Sequence, residues 1–300
     1  MKYSNLYTKC CMLGLILATA SLSSCKKDGN PNNLPDVNAA DYVGKIDGFS
    51  SSDEIYSNNL VAYWSFDGTK NETITSSAPT ATANDSFIAG GVRGQALALN
   101  AGYMYYGKQF DAFKTTALKS FTISEWVQIL NNGSKKTMLF QIARPGVFLG
   151  NLDFILETNA QPATNTDYIQ IHPAFTTIGG GRQDNINNYG ATNLSPKIGA
   201  TKWVHLLITY DGTSGVFDIW ANAIKVGNYP NRGVGNSLFN SFEPNEIIMG
   251  GIYNLIPGKT VNTDTSFGAM TGSIDEVRVF NKVLPQAYIR ALYNLGLAGK

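Results

Sequence analysis

The stretch KWVHLLITYDGTSGVFDIWANAIKVG, residues 202–227, decides the fold class of this 300-residue chain. Its apolar residues recur at every second position, and the DGTSG cluster at 211–215 interrupts them. Because successive side chains of a β-strand point to opposite faces, this period of two predicts strands that bury one face. Gly, Asp and Ser between two such runs indicate a turn. The stretch therefore predicts two short strands joined by a turn.

The same alternation recurs along most of the chain, which predicts an all-β domain over residues 59–300. Further predicted strands are LVAYWSF (60–66), QALALN (95–100), SFTISEWVQIL (120–130), KTMLFQIA (136–143), LDFILET (152–158), NEIIMGGI (245–252) and MTGSIDEVRVFN (270–281). Helical spacing of apolar residues occurs only near the C-terminus, in PQAYIRALYNLG (285–296). Pro285 suits the first turn of that helix and Gly296 its C-cap.

Composition excludes several classes of protein. Hydrophobic residues make up 43% of the chain and charged residues 15%, as in ordinary globular proteins rather than disordered chains. Lys and Arg number 23 against 22 Asp and Glu, a formal net charge of +1. Because polyanion binding depends on a strong positive field, we expect no nucleic-acid partner.

The N-terminal residues predict export and a lipid anchor. Residues 1–25 contain Lys2 and Lys9 without acids, then an apolar run, then small residues, which is the layout of a secretory signal. The run ends in LSSC, which resembles a bacterial lipobox with Cys25 as the lipidated residue. The chain has 3 Cys, and the other two lie within the leader, so we expect no disulfide in the mature domain. The alternative is an ordinary signal peptide with an incidental Cys.

Residues 26–58 predict a flexible tether between this anchor and the domain. They are rich in Asn, Asp and Pro and lack a periodic apolar pattern. Tyr42, Ile46 and Phe49 are the residues able to pack back on the domain. The expected location is therefore the bacterial cell envelope, at the outer membrane, with the membrane contacted through Cys25.

Several segments, in this order, resemble the LamG-like jelly-roll domains of the concanavalin A-like lectin/glucanase superfamily. They are LVAYWSFDGT (60–69), GGVRGQALALN (90–100), SFTISEWVQI (120–129), WVHLLITYDGTSGVFDIWANAIKV (203–226) and GSIDEVRVFNKVLPQAYIRALYN (272–294). The resemblance implies a two-sheet antiparallel jelly-roll sandwich with adjacent first and last strands and a short C-terminal helix. Fold alone does not fix function, since this superfamily includes lectins, glycosidases and adhesion modules.

No catalytic residues are predicted. Related glucanases carry their carboxylates as ExDxxE on one strand face, and this motif is absent. Asp153 and Glu157 share a strand face about 13 Å apart, which does not suit an acid and a nucleophile. His172 and His205 have no activated serine in a recognisable motif and are expected to be structural. A glycoside hydrolase is therefore the least favoured function.

A structural Ca²⁺ ion is the one expected cofactor. In relatives the acid after WxF and the Asp of IDEVR lie close together, and these correspond to Asp67 and Asp275. Asn84 and Asp85 are further candidate ligands, because hard oxygen donors suit Ca²⁺. Alternatively, Asp67 forms an Asx-turn and Asp275 accepts backbone or Arg hydrogen bonds.

The expected function is carbohydrate binding, as glycan capture at the cell surface. Sugar sites combine aromatic faces with polar side chains that bind hydroxyls. Alternation places Tyr103 and Tyr105 on one strand face, opposite Met104 and Tyr106. The candidate ligand contacts are Tyr103, Tyr105, Trp220, Asp218, Tyr168, Arg182, Tyr189 and Arg232. The alternative is a structural or protein-adhesion module that holds another envelope protein, with these aromatic residues in the core.

Glu125 departs from the family pattern, which has a small residue at this position. Alternation places it on the face of Phe121, Ile123 and Val127, the expected interior face. A buried carboxylate is costly unless it is paired. We therefore predict Arg278 or Arg93 as its partner, and an opening of Glu125 into a cleft would favour the enzyme.

Overall fold

The computed structural model describes residues 43–187 and 194–300. Within these ranges the chain forms fourteen β-strands and one α-helix of twelve residues, joined by turns and short 3₁₀-helices. The strands are β1 (Leu60–Trp64), β2 (Ala81–Ala89), β3 (Gln95–Tyr106), β4 (Phe121–Ile129), β5 (Lys136–Ala143), β6 (Leu152–Leu156), β7 (Ile171–Thr176), β8 (Arg182–Asp184), β9 (Gly199–Asp211), β10 (Val216–Ala221), β11 (Ile224–Tyr229), β12 (Glu246–Met249), β13 (Phe267–Gly268) and β14 (Met270–Phe280). Helix α1 spans Gln286–Leu297, so it passes through Gly296, the predicted C-cap.

The strands form one curled sheet in the order β11-β10-β9-β4-β14-β3-β12-β5-β6-β7-β8. β1 pairs with β14, β2 with β3 and β13 with β5, and only the β13–β5 pair is parallel. The sheet folds over itself, because Phe175 of β7 contacts Tyr210 of β9 and Phe217 of β10 at ring distances of 5.0 and 5.8 Å. The all-β antiparallel fold, the C-terminal helix and the pairing of first and last strands are thus confirmed.

Side-chain alternation builds the main core between the two halves of the folded sheet. On β9, Val204, Leu206, Ile208 and Tyr210 are fully buried in this core. The residues between them point to the outer face, where Leu207 belongs to a second apolar cluster. This half of the sheet carries apolar residues on both of its faces. Each face must be covered, so the second cluster requires a further layer of structure on the outer face.

Helix α1 and the segment before β1 supply that layer. Ile289 and Leu292 of α1 pack with Leu207 and with Ile55, which is 1% exposed. The backbone N–H of Ser52 donates to the Lys300 carbonyl, at 3.2 Å. The compact unit begins at Lys45, so the predicted tether of residues 26–58 ends too late. Ile46 and Phe49, which the sequence marked as able to pack back on the domain, are partly buried against this same cluster.

The predicted leader and anchor, residues 1–25 with Cys25, and residues 26–42 lie outside the described residues. Among the residues that the structure does describe, no helix has both the length and the apolar character needed to cross a membrane.

Candidate functional site

A groove of about 540 Å³ lies between the β4–β5 turn and the start of β14. This volume falls in the range of small-molecule sites. Its described lining residues combine amides, hydroxyls and two lysines with apolar side chains, and they include neither an acid nor an aromatic ring. The lining residues are Gln128, Ile129, Leu130, Asn131, Asn132, Ser134, Lys135, Lys136, Thr137, Ala200, Gly268, Ala269, Thr271, Gly272 and Ser273.

The β4–β5 turn holds one wall of the groove in a fixed shape. Asn132 Oδ1 accepts the backbone N–H groups of Ser134 and Lys135, at 2.8 and 2.7 Å. Its Nδ2 donates to the Lys135 carbonyl at 2.9 Å. Gly133 adopts φ +66°, a left-handed conformation that glycine reaches without steric cost. The wall is therefore organised by its own sequence, NNGSKK at 131–136.

Polar groups on the groove lining retain hydrogen-bonding capacity. Gln128 and Ser273 are register partners on β4 and β14, and neither side chain hydrogen-bonds to any other described residue. Asn131 Nδ2 donates to the carbonyls of Asn165 and Tyr168 at 2.9 and 3.0 Å, whereas its buried Oδ1 has no partner among the described residues. Such groups match the mixed donors and acceptors of hydroxyl-rich ligands.

Sequence reasoning did not select these residues. The Asn- and Ser-rich turn after a strand was the available signal, because such loops often carry function. The groove also needs residues 268–273, which follow the turn by about 130 positions and meet it only through the β13–β5 and β14–β4 pairs.

The predicted aromatic platform on β3 is buried. Tyr103 and Tyr105 are 6% and 3% exposed. They pack with Tyr253 and Ile256 of the segment between β12 and β13, which covers this outer face. Met104 lies in the main core on the opposite face, as alternation predicts. The face assignment was therefore correct, but both tyrosines are removed from ligand contact.

Trp220 and Asp218 on β10 share a face as predicted, and both are occupied by the protein itself. Trp220 is 5% exposed in the cluster beneath α1, and Lys225 Nζ lies 4.9 Å from its ring centre. Asp218 accepts from Lys225 at 2.6 Å and from Asn228 at 2.5 Å. The prediction of Trp220 as an open stacking platform is corrected accordingly, and burial of Tyr103, Tyr105 and Trp220 is the arrangement that the adhesion alternative predicted.

Arg182 and Arg232 are brought together at β8, where both have internal partners. Arg182 Nη2 lies 2.7 Å from Asp153 Oδ2. Arg232 donates to Asn185 Oδ1 at 2.7 Å and to the Asp184 carbonyl at 3.1 Å. Arg232 therefore joins the loop after β11 to the strand edge at β8, whereas Arg182 joins β8 to β6.

The two remaining predicted ligand contacts have different outcomes. Tyr168 is half-buried, and its carbonyl accepts from the groove residue Asn131. Tyr189 lies outside the described residues.

A row of charged side chains runs from the groove across β6 and β7. Glu157 Oε1 lies 2.9 Å from Lys136 Nζ and 2.6 Å from His172 Nδ1. Burial alone would raise the pKa of Glu157, but these two hydrogen bonds outweigh burial and hold it below its ordinary value. Asp153 on the same strand is fully buried and accepts from Gln141 at 2.6 Å. Both acids of the pair considered for glycosidase chemistry are thus held by protein groups.

The comparisons with known proteins agree with this architecture. Residues 100–290 match the family model Laminin_G_3, described as concanavalin A-like lectin/glucanases superfamily. The chain belongs to the concanavalin A-like lectin/glucanase superfamily. This confirms the resemblance found in the sequence. No curated protein is significantly similar to the chain.

Solved structures share the superfamily fold at low sequence identity. Domain 4 of AbnA, a GH43 extracellular arabinanase from Geobacillus stearothermophilus, is 17% identical with a TM-score of 0.50, and the match covers 78% of this chain and 98% of that domain. The binding domain of Paraclostridial Mosquitocidal Protein 1 is 13% identical, with a TM-score of 0.54 and coverage of 79% and 52%. The receptor binding domain of botulinum neurotoxin mosaic serotype C/D is 12% identical, with a TM-score of 0.51 and coverage of 79% and 51%. This chain thus spans about half the length of the two toxin domains.

The calcium ligands predicted for this superfamily member are only partly brought together. Asp275 Oδ2 accepts the N–H groups of Val92 and Arg93 at 2.6 and 3.2 Å, and Asp67 Oδ1 accepts that of Gln95 at 2.7 Å. Both acids therefore contact the turn at 90–95. Burial, followed by the adjacent Glu276, raises the pKa of Asp275 to about 8.

The other two predicted calcium ligands are engaged elsewhere. Asp85 pairs with Lys70 at 2.7 Å, and Asn84 Nδ2 donates to the Ala101 carbonyl at 3.1 Å. Within residues 43–187 and 194–300, no three His, Cys, Asp or Glu side chains form a group suited to a metal ion. Asn84 and Asp85 therefore have other partners than the turn that Asp67 and Asp275 contact.

Glu125 is fully buried, and neither carboxyl oxygen has a hydrogen-bond partner among the described residues. The predicted partners are wrong. Arg278 lies opposite Ser124 and pairs with Glu276 at 2.6 Å and Asp53 at 3.0 Å, while Arg93 pairs with Asp53 at 2.8 Å. Glu125 does not line the groove either. Glu125 therefore does not open into a cleft, which is the arrangement that would have favoured an enzyme.

Proposed function

We propose that this protein is a non-catalytic carbohydrate-binding protein that holds an oligosaccharide in the groove between the β4–β5 turn and β14. The observation that carries the proposal is the pair of unpaired side chains on the lining among the described residues, the Gln128 amide and the Ser273 hydroxyl. Sugar hydroxyls both donate and accept, so amide and hydroxyl side chains suit them. Membership in a superfamily of lectins and glucanases supports the same function.

One similar solved structure contains an oligosaccharide. The structure of the arabinanase domain was determined in complex with arabinotriose. The described lining of the present groove includes amide, hydroxyl and ammonium groups and no aromatic ring. We therefore propose a short, hydroxyl-rich saccharide whose recognition depends on hydrogen bonds more than on stacking.

Titration calorimetry of the purified protein against an oligosaccharide panel that includes arabinotriose tests this function. Gln128→Ala is expected to weaken binding about fivefold, because one hydrogen bond in a wet site contributes about 1 kcal/mol. Gln286→Ala, on the exposed start of α1, is the matched control and should bind like the wild type. A folded protein that binds no saccharide would overturn the proposal and favour the adhesion alternative.

We also propose that the protein is lipid-anchored at the bacterial outer membrane, with the binding domain serving glycan capture at the cell surface. The support is the leader of residues 1–25 and its LSSC end. Palmitate labelling in cells should mark the wild type and Cys11→Ala but not Cys25→Ala. Equal labelling of all three proteins would contradict an anchor on Cys25.

A structural Ca²⁺ ion at the 90–95 turn is a separate proposal. The carboxylates of Asp67 and Asp275 are donors of the kind that Ca²⁺ takes, and they contact the same turn. An ion there would crosslink the turn to β14 and stabilise the domain. Calcium is expected to raise the melting temperature of the wild type but not of Asp67→Asn, and an unchanged wild-type melting temperature in calcium and in chelator would contradict it.

A further inference from the structure

We propose that the groove selects an acidic saccharide, and that Lys135 is the residue that recognises its carboxylate or sulfate. The inference rests on the proposed carbohydrate-binding function of the same groove and adds the ligand's charge class. Its basis is the charge of the described lining residues, which include two lysines and no acid.

The two lysines differ in how their charge is compensated. Lys136 Nζ lies 2.9 Å from Glu157 Oε1, so an internal carboxylate already offsets its charge. Lys135 Nζ donates to the Thr265 carbonyl, a neutral acceptor, and forms no salt bridge with any described acid. An ammonium group has three donors, so two remain for a ligand. Lys135 therefore carries the uncompensated charge of the groove.

The acid beside this lysine does not cap it. Asp264 is exposed, and its Oδ1 accepts both the backbone N–H and the hydroxyl of Ser266, at 2.7 and 2.5 Å. The charges of Lys136 and Lys135 help to lower the pKa of Asp264 after these hydrogen bonds, but no ion pair forms. A ligand anion would thus meet an ammonium group that forms no ion pair with any described acid.

Gly268 on the groove floor fixes the path of the Lys135 side chain. A Cβ at position 268 would lie 3.1 Å from Lys135 Cβ and 3.3 Å from its Cγ. The lysine stem therefore lies against the bare glycine backbone, which limits the positions open to the ammonium group. A precisely held cation distinguishes charged from neutral ligands better than a freely moving one, because less conformational entropy is lost on binding.

The test compares acidic oligosaccharides with neutral counterparts of the same shape, such as oligogalacturonate and its methyl ester, and sulfated with unsulfated oligosaccharides. At low salt the wild-type protein should bind at least one acidic member about tenfold more tightly than its neutral counterpart. Added NaCl should reduce that ratio, since salt screens exposed charges. Lys135→Gln should bring binding of the acidic member down to the level of its neutral counterpart in the same variant, and Lys135→Arg should retain the ratio.

Two further variants separate a specific role from general effects. Lys197→Gln removes an exposed lysine that is not on the groove lining and should bind like the wild type. Gly268→Ala keeps every charge but displaces the Lys135 stem, so it should lower the acidic preference. Preference for neutral members, or an acidic preference that survives Lys135→Gln, would overturn the inference and leave the carbohydrate function intact. Absence of binding to every saccharide would overturn both.

Discussion

The Oγ of Ser124 and the Nε2 of His205 lie 2.7 Å apart on adjacent strands, beneath helix α1. The imidazole stacks on Trp126, with ring centres 4.8 Å apart, and its Nδ1 has no partner within the described part of the chain. Burial, and then the charge of Arg278, lower the pKa of His205 to about 3. The pair is therefore a neutral element of the layer between the sheet and α1.

Burial of the His205 imidazole predicts that the folded protein loses stability in mild acid. Its pKa is about 3 in the folded protein and 6.5 in the unfolded chain, so below pH 6.5 the unfolded state alone binds a proton. The free energy of unfolding should fall by about 1.4 kcal/mol per pH unit between pH 6 and 4 through this residue. Urea unfolding of His205→Gln should show a shallower pH dependence than the wild type. An unaltered slope in His205→Gln would show the prediction to be wrong.

Burial of the Glu125 carboxyl group predicts the opposite pH dependence of the free energy of unfolding. Burial raises its pKa well above the ordinary 4.5, so the folded state keeps its proton and the unfolded state releases it. Its contribution to stability is fully present below pH 4.5 and is lost as the pH rises towards the folded-state pKa. Glu125→Gln should therefore unfold at higher urea than the wild type at pH 8, with little difference at pH 4.5. Glu54→Gln, at an exposed site, should show no such gain, and coinciding curves for Glu125→Gln and wild type at pH 8 would contradict the prediction.

The alternation of apolar residues predicted which residues share a strand face, but it carried no information on what covers the outer faces. Tyr105 and Trp220 lie where alternation places them, and both are buried by distant segments. The segment between β12 and β13 covers Tyr105, whereas α1 and the residues around Ile55 cover the cluster of Trp220. The outer faces are covered through tertiary contacts between segments that are far apart in the sequence. Nothing in the local sequence of either segment indicates that the two will meet.

The wrong partner for Glu125 has a local cause. A register irregularity lies between Asp275 and Arg278, where Glu276 adopts φ +51°. An extra residue in a strand reverses the faces of all residues beyond it, so Arg278 lies opposite Ser124 on the outer face. The assumption of regular alternation through IDEVR could not reveal this bulge.

The segment before β1 is expected to contribute to stability mainly through Ile55. Asp53 is bonded to Arg93 at 2.8 Å and to Arg278 at 3.0 Å, but its side chain is 52% exposed, so Asp53→Asn should cost only about 1 kcal/mol. Ile55 is 1% exposed, and Ile55→Ala should cost about 2 to 4 kcal/mol. Urea unfolding measures both, with Glu54→Gln as the exposed control. A smaller loss for Ile55→Ala than for Asp53→Asn would show that the segment is held by charge rather than by packing.

Gly296 provides a test of how α1 packs on the sheet. A Cβ at this position would lie 2.4 Å from Cζ2 of Trp126, whose ring stacks on Tyr293 of the same helix at 5.7 Å. In an exposed helix interior, alanine is favoured over glycine by about 1 kcal/mol. Here the clash should dominate, so Gly296→Ala is expected to lower the free energy of unfolding by about 1 to 3 kcal/mol. Arg290→Ala, on the exposed side of α1, should have little effect. If Gly296→Ala instead stabilised the protein, α1 would not approach Trp126 as closely as the glycine allows.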